Sequence, residues 1–364
     1  MTVAPGTPSR ATRETGRGVI DCEIHNVVPS TEALFPYLSE HWRETVTQTL
    51  FKGVADASYP KNAPTNARPG STPPNGGSAG SSLELVREQV LDHDGAEVGI
   101  LTCAYAIDSL RNPDAAIAFA RAVNDWQVAQ WLDKEPRLRA SIVVPSQLPH
   151  EAAREIERAA ALHPGFVQVL LPVRSHLPYG NRIHHPMFEA IARKELVAGL
   201  HFGGHPGNPP TPSGWPSYYV EEYVDMAGVF ASQVTSIVTE GLFDQFPTLR
   251  VALLEAGFTW LPAHMWRFDK EWRNLRRLVP WVRRSPSAYI REHVRVTVQP
   301  LDAPPNPEQL VQVVEQLESE EMLLYASDYP HQHRFDPERD LLAHLPDGLA
   351  DKIRRENART FYRL

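Results

Sequence analysis

Apolar runs with the character of buried strands alternate along this chain with segments that have the periodicity of amphipathic helices. The clearest run, from Phe166 to Leu171, is nearly continuous in apolar residues, as is typical of a parallel strand buried on both faces. Eight such strands without a second compositional regime predict an α/β fold, a single (β/α)8 TIM barrel. The predicted strands cover residues 18–25, 98–104, 138–144, 166–173, 196–202, 250–255, 294–298 and 322–327.

Helical patterns occupy most of the segments between the predicted strands. Residues 59–82 differ, because they are rich in Pro, Gly, Asn and Ser and have little to bury. We expect a long loop there that is a lid, an interface or simply mobile. Residues 1–17 are polar and lack the apolar core of a signal peptide, so we expect a disordered segment before a single domain over 18–364. The predicted helices lie near residues 34–50, 113–132, 150–162, 187–194, 220–243, 261–278 and 308–317, with two short helices near 341 and 351–361 that end the chain.

Charge and cysteine content narrow the class of protein. Acidic residues outnumber basic ones, 44 to 36, for a net charge of −8, and no basic tract stands out. A nucleic-acid partner or an anionic membrane surface is therefore not suggested, and no apolar run reaches the length of a membrane span. Cys22 and Cys103 are too few for a disulfide framework, which favours a reducing, cytoplasmic location.

The first predicted strand carries polar chemistry where a buried strand should end. A period of two places Val19, Asp21, Glu23 and His25 on one face, and three of these side chains are ionisable. A buried face of this kind needs a compensating charge, and a divalent cation is the simplest one. The alternative is a partly exposed edge strand whose Glu and His are solvated.

Three later strands also end in carboxylates or imidazoles. His201 ends the fifth strand, Glu255 the sixth and Asp328 the eighth, and Val251 and Leu253 are expected to share the inward face with Glu255. Taken singly, His201 can be a core histidine and Asp328 a helix cap. Because the carboxyl ends of barrel strands meet at one mouth, the joint pattern favours a metal site there.

Three segments resemble a known family: Asp21 to His25, Leu254 to Pro262 and Ala326 to His331. From Ile20 to the C-terminus the chain is similar to the amidohydrolase-related (amidohydrolase 2) family of the amidohydrolase superfamily. That family also holds the aminocarboxymuconate-semialdehyde and resorcylate-type decarboxylases. The resemblance implies a metal-dependent enzyme.

The resemblance also implies a ligand set of Glu23, His25, His201 and Asp328. The fourth strand ends at Arg174 without a Lys to carry a bridging carbamate, so we expect one ion per chain. Two imidazoles and two carboxylates suit Zn²⁺, Mn²⁺ or Fe²⁺, and Zn²⁺ is our expectation. Asp328 is expected to act as a catalytic residue as well, by deprotonating metal-bound water.

One position departs from the family pattern. Many relatives have a His at the end of the sixth strand, where this chain has Glu255. Glu255 is either a catalytic acid or base or a structural acceptor for the following loop. His205, in the Gly/Pro loop after His201, is a second catalytic candidate, with an exposed residue as the alternative.

Three residues are candidates for substrate binding. Arg174 can pair with a substrate carboxylate, or form an ordinary surface ion pair. Trp215 lies in an aromatic loop expected to overhang the mouth, where it stacks on a planar substrate or packs an oligomer interface. His331 follows the eighth strand closely enough to reach the same mouth.

Our functional expectation is a metal-dependent hydrolase that acts on a small planar carboxylate- or amide-bearing substrate through activated water. The first alternative is a nonoxidative decarboxylase of an aromatic or conjugated acid. Glu23 in the first strand favours this alternative, and the absent sixth-strand His disfavours it. The second alternative is a non-catalytic metal-binding scaffold. We further expect a small-molecule substrate and a homodimer or homotetramer.

Overall fold

The computed structural model describes residues 18–51, 53–54, 66–204, 207 and 209–364. Its centre is one sheet of eight parallel strands in sequential order, which confirms the predicted (β/α)8 barrel. The predicted strand positions hold to within a few residues. The strands are β1 Val19–Ile24, β2 Ala96–Leu101, β3 Leu138–Val143, β4 Phe166–Pro172, β5 Val197–His201, β6 Arg250–Leu254, β7 Val294–Thr297 and β8 Leu323–Leu324.

The barrel closes between β1 and the chain that follows the short strand β8. The N–H of Cys22 donates to the carbonyl of Tyr325 at 3.0 Å, and the N–H of His25 donates to the carbonyl of Tyr329 at 2.6 Å. Ile24 forms a parallel bridge with Tyr329. The seam therefore joins the first and last functional segments of the chain.

Helices surround the barrel, and two of them were not predicted. The segment Leu83–His93 is α2 continued by a π-helical stretch, and α9 begins at Pro286. Proline suits the first turn of a helix, and Pro286 is the first residue of α9. The helix predicted near 34–50 is a 3-10 helix, Thr31–Tyr37, followed by α1. The α-helices are α1 Glu40–Gln48, α2 Leu83–Val86, α3 Pro113–Gln127, α4 Pro149–Leu162, α5 His185–Arg193, α6 Tyr219–Thr239, α7 Leu242–Gln245, α8 Leu261–Leu275, α9 Pro286–His293, α10 Pro307–Gln316, α11 Pro337–Asp340, α12 Asp347–Asp351 and α13 Asn357–Tyr362.

The interior of the barrel holds a small apolar cluster that is separate from the outer core. Helix α13 covers the bottom of this cluster, where the hydroxyl of Tyr362 donates to Gln168 Oε1 at 2.8 Å. The side chains that form it come from six strands and from α13: Ile20, Cys22, Ile100, Leu170, Val197, Ala252, Leu254, Leu324, Ala358, Phe361 and Tyr362.

This packing corrects the predicted face of β6. Ala252 and Leu254 face the interior, whereas Val251 and Leu253 belong to the outer core that packs the barrel against its helices. The prediction that Val251 and Leu253 share the inward face with Glu255 is therefore wrong. Glu255 lies just beyond the last strand residue, so its direction is set by its own backbone angles and not by strand alternation.

Strand β1 departs from simple alternation as well. Ile20 and Cys22 are in the interior cluster and Val19 is in the outer core, the reverse of the prediction for Val19. The register with β2 shifts between Asp21 and Ile24. An irregularity of this kind re-aims the side chains that follow it, so Glu23 comes to the interior directly after Cys22.

The described part of the long loop lies against the mouth of the barrel. The N–H of Arg68 donates to the carbonyl of Pro330 at 2.7 Å, and the N–H of Val27 donates to the carbonyl of Gly80 at 3.0 Å. Gly80 has φ of 81°, and a Cβ there would stand 2.6 Å from the carbonyl oxygen of His25, so only glycine fits. The prediction that the loop is a lid, an interface or mobile stays a prediction, because residues 55–65 lie outside the described residues. The predicted disordered segment, residues 1–17, also lies outside them.

Among the residues the structure describes, no helix combines the length and the apolar character needed to cross a bilayer.

Candidate metal centre

Four donor atoms from three strand ends lie close together at the mouth of the barrel. Glu23, His25, His201 and Glu255 each offer one ligand atom, and these atoms lie within 4.8 Å of one another. Glu23 Oε1 is 3.3 Å from His201 Nε2, and Glu255 Oε1 is 3.5 Å from His25 Nε2 and 3.7 Å from His201 Nε2. Two carboxylates and two imidazoles in this arrangement are a suitable set for a divalent transition-metal ion.

Two of these atoms are buried without a hydrogen-bond partner. His201 Nε2 and Glu23 Oε1 point at one another without hydrogen-bond geometry. The other ring nitrogen of His201, Nδ1, is 2.7 Å from the carbonyl of Phe202. In the neutral imidazole this bond places the hydrogen on Nδ1, so Nε2 presents a lone pair once His201 has lost its proton. Because unpaired buried polar atoms are costly, a cation between them fits this site.

Asp328 lies on the far side of His25 and forms a second group. Its Oδ1 is 3.0 Å from His25 Nε2 and 2.9 Å from His331 Nδ1, and its Oδ2 is 2.7 Å from His333 Nε2. His25, Glu255, Asp328 and His331 also offer ligand atoms that lie within 4.8 Å of one another. His25 and Glu255 therefore belong to both groups.

Burial and charge perturb the pKa values of the cluster in opposite directions. Burial opposes the charged form of Asp328, but hydrogen bonds from three histidines hold its pKa well below the usual range. Burial also opposes protonation of His25, but its contacts with Asp328 and Glu255 raise its pKa well above the usual range. The pKa of His201 is raised too, because the negative charges of Glu255 and Glu23 outweigh burial. Burial raises the pKa of Glu23.

Two carboxylates reach the cluster through strained backbone. Glu255 has φ of 55° and Asp328 has φ of 56°, both in the left-handed region. Residues other than glycine enter this region at a cost of about 1–3 kcal/mol, and such residues cluster at functional sites. The conformation turns Glu255 inward although the preceding residue, Leu254, already faces the interior.

Asp21 and Thr297 support the cluster without belonging to either ligand group. Asp21 Oδ1 accepts the N–H of Glu23 at 3.2 Å and the N–H of Ser327 at 3.0 Å, and burial raises its pKa to about 7. The hydroxyl of Thr297 donates to Glu23 Oε2 at 3.2 Å and accepts the N–H of Glu255 at 3.3 Å. Asp21 thus fixes the seam, and Thr297 connects two of the donor residues.

Three other residues were predicted to take part in the site: Arg174, Trp215 and His205. Arg174 is buried and paired with Glu222 on α6, so it is not an ordinary surface ion pair, and it belongs to neither ligand group. Trp215 is 59% exposed and is also outside both groups. His205 lies outside the described residues. A substrate-binding role for Arg174 or Trp215 and a catalytic role for His205 stay predictions.

Sequence reasoning missed His333 and Thr297. His333 follows His331 in a loop, and no strand end marks it. Thr297 is the last residue of β7, a strand whose end offers no ionisable group. Its position at a strand end was the available signal, but a lone threonine there carries no distinctive chemistry.

A cavity beside His201 opens between the ends of β2 to β5. Tyr105, Asp108 and Ser146 supply polar groups to its lining. The cavity has a volume of about 70 Å³ and a mostly apolar wall with a few polar groups. The apolar lining includes Cys103, Ile107, Val143, Val144, Leu170 and Phe202.

The chain matches one protein family over nearly its whole length. The profile of the family described as amidohydrolase matches residues 20–364, which is nearly the whole chain. The chain belongs to the amidohydrolase family. This confirms the resemblance, and the protein is an enzyme of the amidohydrolase superfamily.

Individual relatives of this amidohydrolase are named as decarboxylases. A γ-resorcylate decarboxylase of Polaromonas sp. (strain JS666) is 30% identical over 213 residues, which span 55% of this chain and 61% of that enzyme. The enzyme of the same name from Rhodococcus jostii (strain RHA1) is 26% identical over 302 residues, 78% of this chain and 88% of that enzyme.

Solved structures agree on the fold. The 5-carboxyvanillate decarboxylase of Sphingomonas paucimobilis has a TM-score of 0.72 at 21% identity and covers 96% of this chain and 100% of its own. A dihydroxybenzoic acid decarboxylase of Polaromonas sp. JS666, solved with manganese and the inhibitor 2-nitroresorcinol, has a TM-score of 0.65 at 23% identity and covers 96% of this chain and 98% of its own.

Proposed function

We propose that this amidohydrolase is a nonoxidative, metal-dependent decarboxylase of an aromatic acid, with a hydroxyl group beside the carboxylate. The observation that carries the proposal is the similarity to γ-resorcylate decarboxylases, one of them over 78% of this chain. The hydrolase expected from the sequence finds no support among these relatives. The proposed function is therefore the nonoxidative decarboxylase, which the sequence offered as the first alternative to the hydrolase.

The donor set supports a metal-dependent reaction. Glu23, His25, His201 and Asp328 would hold a divalent ion, whose chemistry at this site would be Lewis-acid activation of the substrate carboxylate. Manganese accompanies a solved decarboxylase of this fold, so we take Mn²⁺ as the first ion to test, in place of the expected Zn²⁺. Carboxylate-rich sites of this kind suit Mn²⁺.

The chain must also deliver a proton to the ring carbon. In the proposed reaction this carbon takes up a proton, the bond to the carboxyl group breaks, CO2 leaves, and the electron pair restores the aromatic ring. We assign the proton transfer to Asp328 and His331. His331 has a side chain 40% exposed and lies 2.9 Å from Asp328 Oδ1, so it connects solvent to the buried carboxylate. An imidazole held by a carboxylate is an effective proton carrier.

The cavity beside His201 is our proposed site for the substrate ring. Its apolar lining from Ile107, Val144 and Leu170 matches a planar aromatic group, and His201 joins the cavity to the donor cluster. We also propose that the protein is a homodimer or homotetramer and that it is located in the cytoplasm.

A substrate panel tests the reaction class. Protein loaded with Mn²⁺ would be incubated with ortho-hydroxybenzoic acids, including 2,6-dihydroxybenzoate, and in parallel with amides, esters and lactones. Loss of the aromatic carboxylate, followed by chromatography, would support the proposal. Hydrolysis of the second group alone would restore the hydrolase, and inactivity of the metal-loaded protein on both groups would favour a scaffold.

A further inference from the structure

We propose that Glu255 is a direct ligand of the divalent ion and not a free acid or base. This inference rests on the proposed metal centre. It adds a fifth protein ligand to the set that the family resemblance implies, in the position where many relatives carry a His. The experiment below distinguishes its failure from the failure of the metal centre itself.

The distances around Glu255 are those of ligands that share one ion. With metal–ligand bonds of about 2.1 Å, neighbouring ligands are about 3.0 Å apart around an octahedral ion and about 3.4 Å apart around a tetrahedral one. Glu255 Oε1 lies 3.5 Å from His25 Nε2 and 3.7 Å from His201 Nε2. The group of donors that contains Glu23 and His201 also includes Glu255, whereas Asp328 belongs to the second group.

The unpartnered atoms indicate where the ion would sit. Glu23 Oε1 and His201 Nε2 are both buried and lack hydrogen-bond partners, and their side chains are 0% and 6% exposed. Glu255 Oε1 lies 3.7 Å from His201 Nε2, and the ligand atoms of Glu255 and Glu23 lie within 4.8 Å of one another. An ion placed between them is therefore within reach of Glu255.

In the metal-free site, each oxygen of Asp328 has an imidazole within hydrogen-bond distance. His25 and His331 contact its Oδ1, and His333 contacts its Oδ2. Glu255 has only longer contacts, of 3.5 Å or more, to the three imidazoles around it. These contacts are too long for strong charge-assisted hydrogen bonds, so a role within the cluster as an imidazole acceptor explains Glu255 poorly.

The backbone of Glu255 is built for an inward carboxylate. Regular continuation of β6 beyond Leu254 would send the next side chain away from the interior. The left-handed φ of 55° reverses this direction, and Thr297 holds the Glu255 N–H in place. A side chain that served only the following loop would have no need of this strained conformation.

A fifth ligand has a consequence for metal selection. Glu23, Glu255 and Asp328 together carry one more negative charge than a divalent ion can neutralise. Oxygen-rich ligand sets with higher coordination numbers favour Mn²⁺ over tetrahedral Zn²⁺. The proposed ligand therefore predicts a centre that prefers Mn²⁺ more strongly than the four-ligand set would.

The test is metal binding by the full-length, metal-free protein, measured by titration calorimetry with Mn²⁺ alone. Glu255→Gln should weaken Mn²⁺ binding by about 100-fold or more, because loss of even an outer partner of a ligand costs about 10–100-fold. Glu255→Ala has no ligand atom at this position, so water-proton relaxation should show one additional water on Mn²⁺ bound to that variant. Circular dichroism checks that the variant is folded.

Asp302→Asn is the matched control. Asp302 lies on the loop after β7, close to Gly257, and removing its charge leaves both ligand groups intact. Its Mn²⁺ affinity should stay within about twofold of wild type, since an exposed charge contributes little. A loss as large as that in Glu255→Gln would assign the effect to the general electrostatic field and overturn the proposal.

Other results would overturn the proposal in distinct ways. Unchanged affinity in Glu255→Gln, or no additional water on Mn²⁺ bound to Glu255→Ala, removes Glu255 from the ligand set while the metal centre stands. Absence of Mn²⁺ and Zn²⁺ binding in wild type overturns the centre itself. If Glu255→Gln does not fold, a crystal structure of wild type with Mn²⁺ decides: a Glu255 oxygen within about 2.3 Å of the ion supports the proposal, and a greater distance contradicts it.

Discussion

Glu255 and Asp328 present their carboxylates to the same nitrogen, His25 Nε2, from the ends of two different strands, at 3.5 Å and 3.0 Å. Both residues have left-handed backbone, with φ of 55° and 56°. The same left-handed backbone conformation thus turns both acidic side chains toward the imidazole of His25. Strain of this kind persists where the surrounding structure fixes it, commonly at functional sites.

The strain at Glu255 predicts an unusual order of stabilities. Glycine adopts left-handed φ freely, whereas alanine keeps the steric cost of a Cβ. Both replacements remove the carboxylate, so Glu255→Gly should be more stable than Glu255→Ala by about 1 kcal/mol in the metal-free protein. Urea unfolding with chelator present measures the difference. An alanine variant as stable as the glycine variant would show that the backbone is not strained.

Metal content tests the two imidazoles. Wild type purified without added metal should contain about one divalent ion per chain, whereas His25→Ala combined with His201→Ala should retain about a tenth of that or less, because each lost partner weakens binding about tenfold or more. Elemental analysis gives both values. His150→Ala, which removes an exposed histidine at the start of α4, is the control. Undiminished metal in the double variant would place the ion elsewhere.

Asp328→Asn should abolish turnover and leave the fold intact. A carboxamide can ligate weakly, but it cannot hold His331 and His333 as charge-assisted partners or take part in proton transfer. We expect a loss of about 100-fold or more in the turnover number of the Mn²⁺-loaded enzyme, with an unchanged circular dichroism spectrum. Turnover near the wild-type value would remove Asp328 from the proton transfer.

The raised pKa values of His25 and His201 predict the pH dependence of metal binding. Protonated imidazoles must lose their protons before they ligate a metal ion. Since contacts with acidic groups raise both pKa values in the metal-free site, its histidines hold protons at pH values where free imidazoles have lost them. Mn²⁺ affinity should therefore rise as pH increases and level off above the raised pKa values.

Calorimetry from about pH 6 to about pH 8, in buffers that differ in ionisation enthalpy, counts the protons released on binding. Asp328 adds no competition in this range, because its lowered pKa keeps it ionised. Affinity that is independent of pH, with no proton release, would contradict the electrostatic account of the site.

The barrel was predictable because its signal repeats along the chain. Each strand is an apolar run that needs two covered faces, so local pattern and global fold agree, as at Phe166–Pro172. The convergence of Glu23, His25, His201 and Asp328 at one mouth followed from that topology. These positions depend on where strands end, which the sequence indicates well.

Side-chain direction was less predictable, because it depends on single backbone residues. Glu255 turns inward through a left-handed φ that no alternation rule contains, and Glu23 follows an irregular register in β1. The contact of His333 with Asp328 depends on the path of a loop. Pairings of this kind arise from tertiary structure, and residues such as Thr297 acquire their role only through it.

Release of labelled CO2 is the most direct test of the central claim. Wild-type protein loaded with Mn²⁺ would be given ortho-hydroxybenzoic acids, including 2,6-dihydroxybenzoate, that carry ¹³C in the carboxyl group, and the gas and bicarbonate would be analysed by mass spectrometry. The account predicts ¹³CO2 from at least one of these acids, and none when a chelator has removed the metal or when Asp328 is replaced by Asn. Retention of the label in the aromatic carboxylate of every acid by metal-loaded wild type would contradict it.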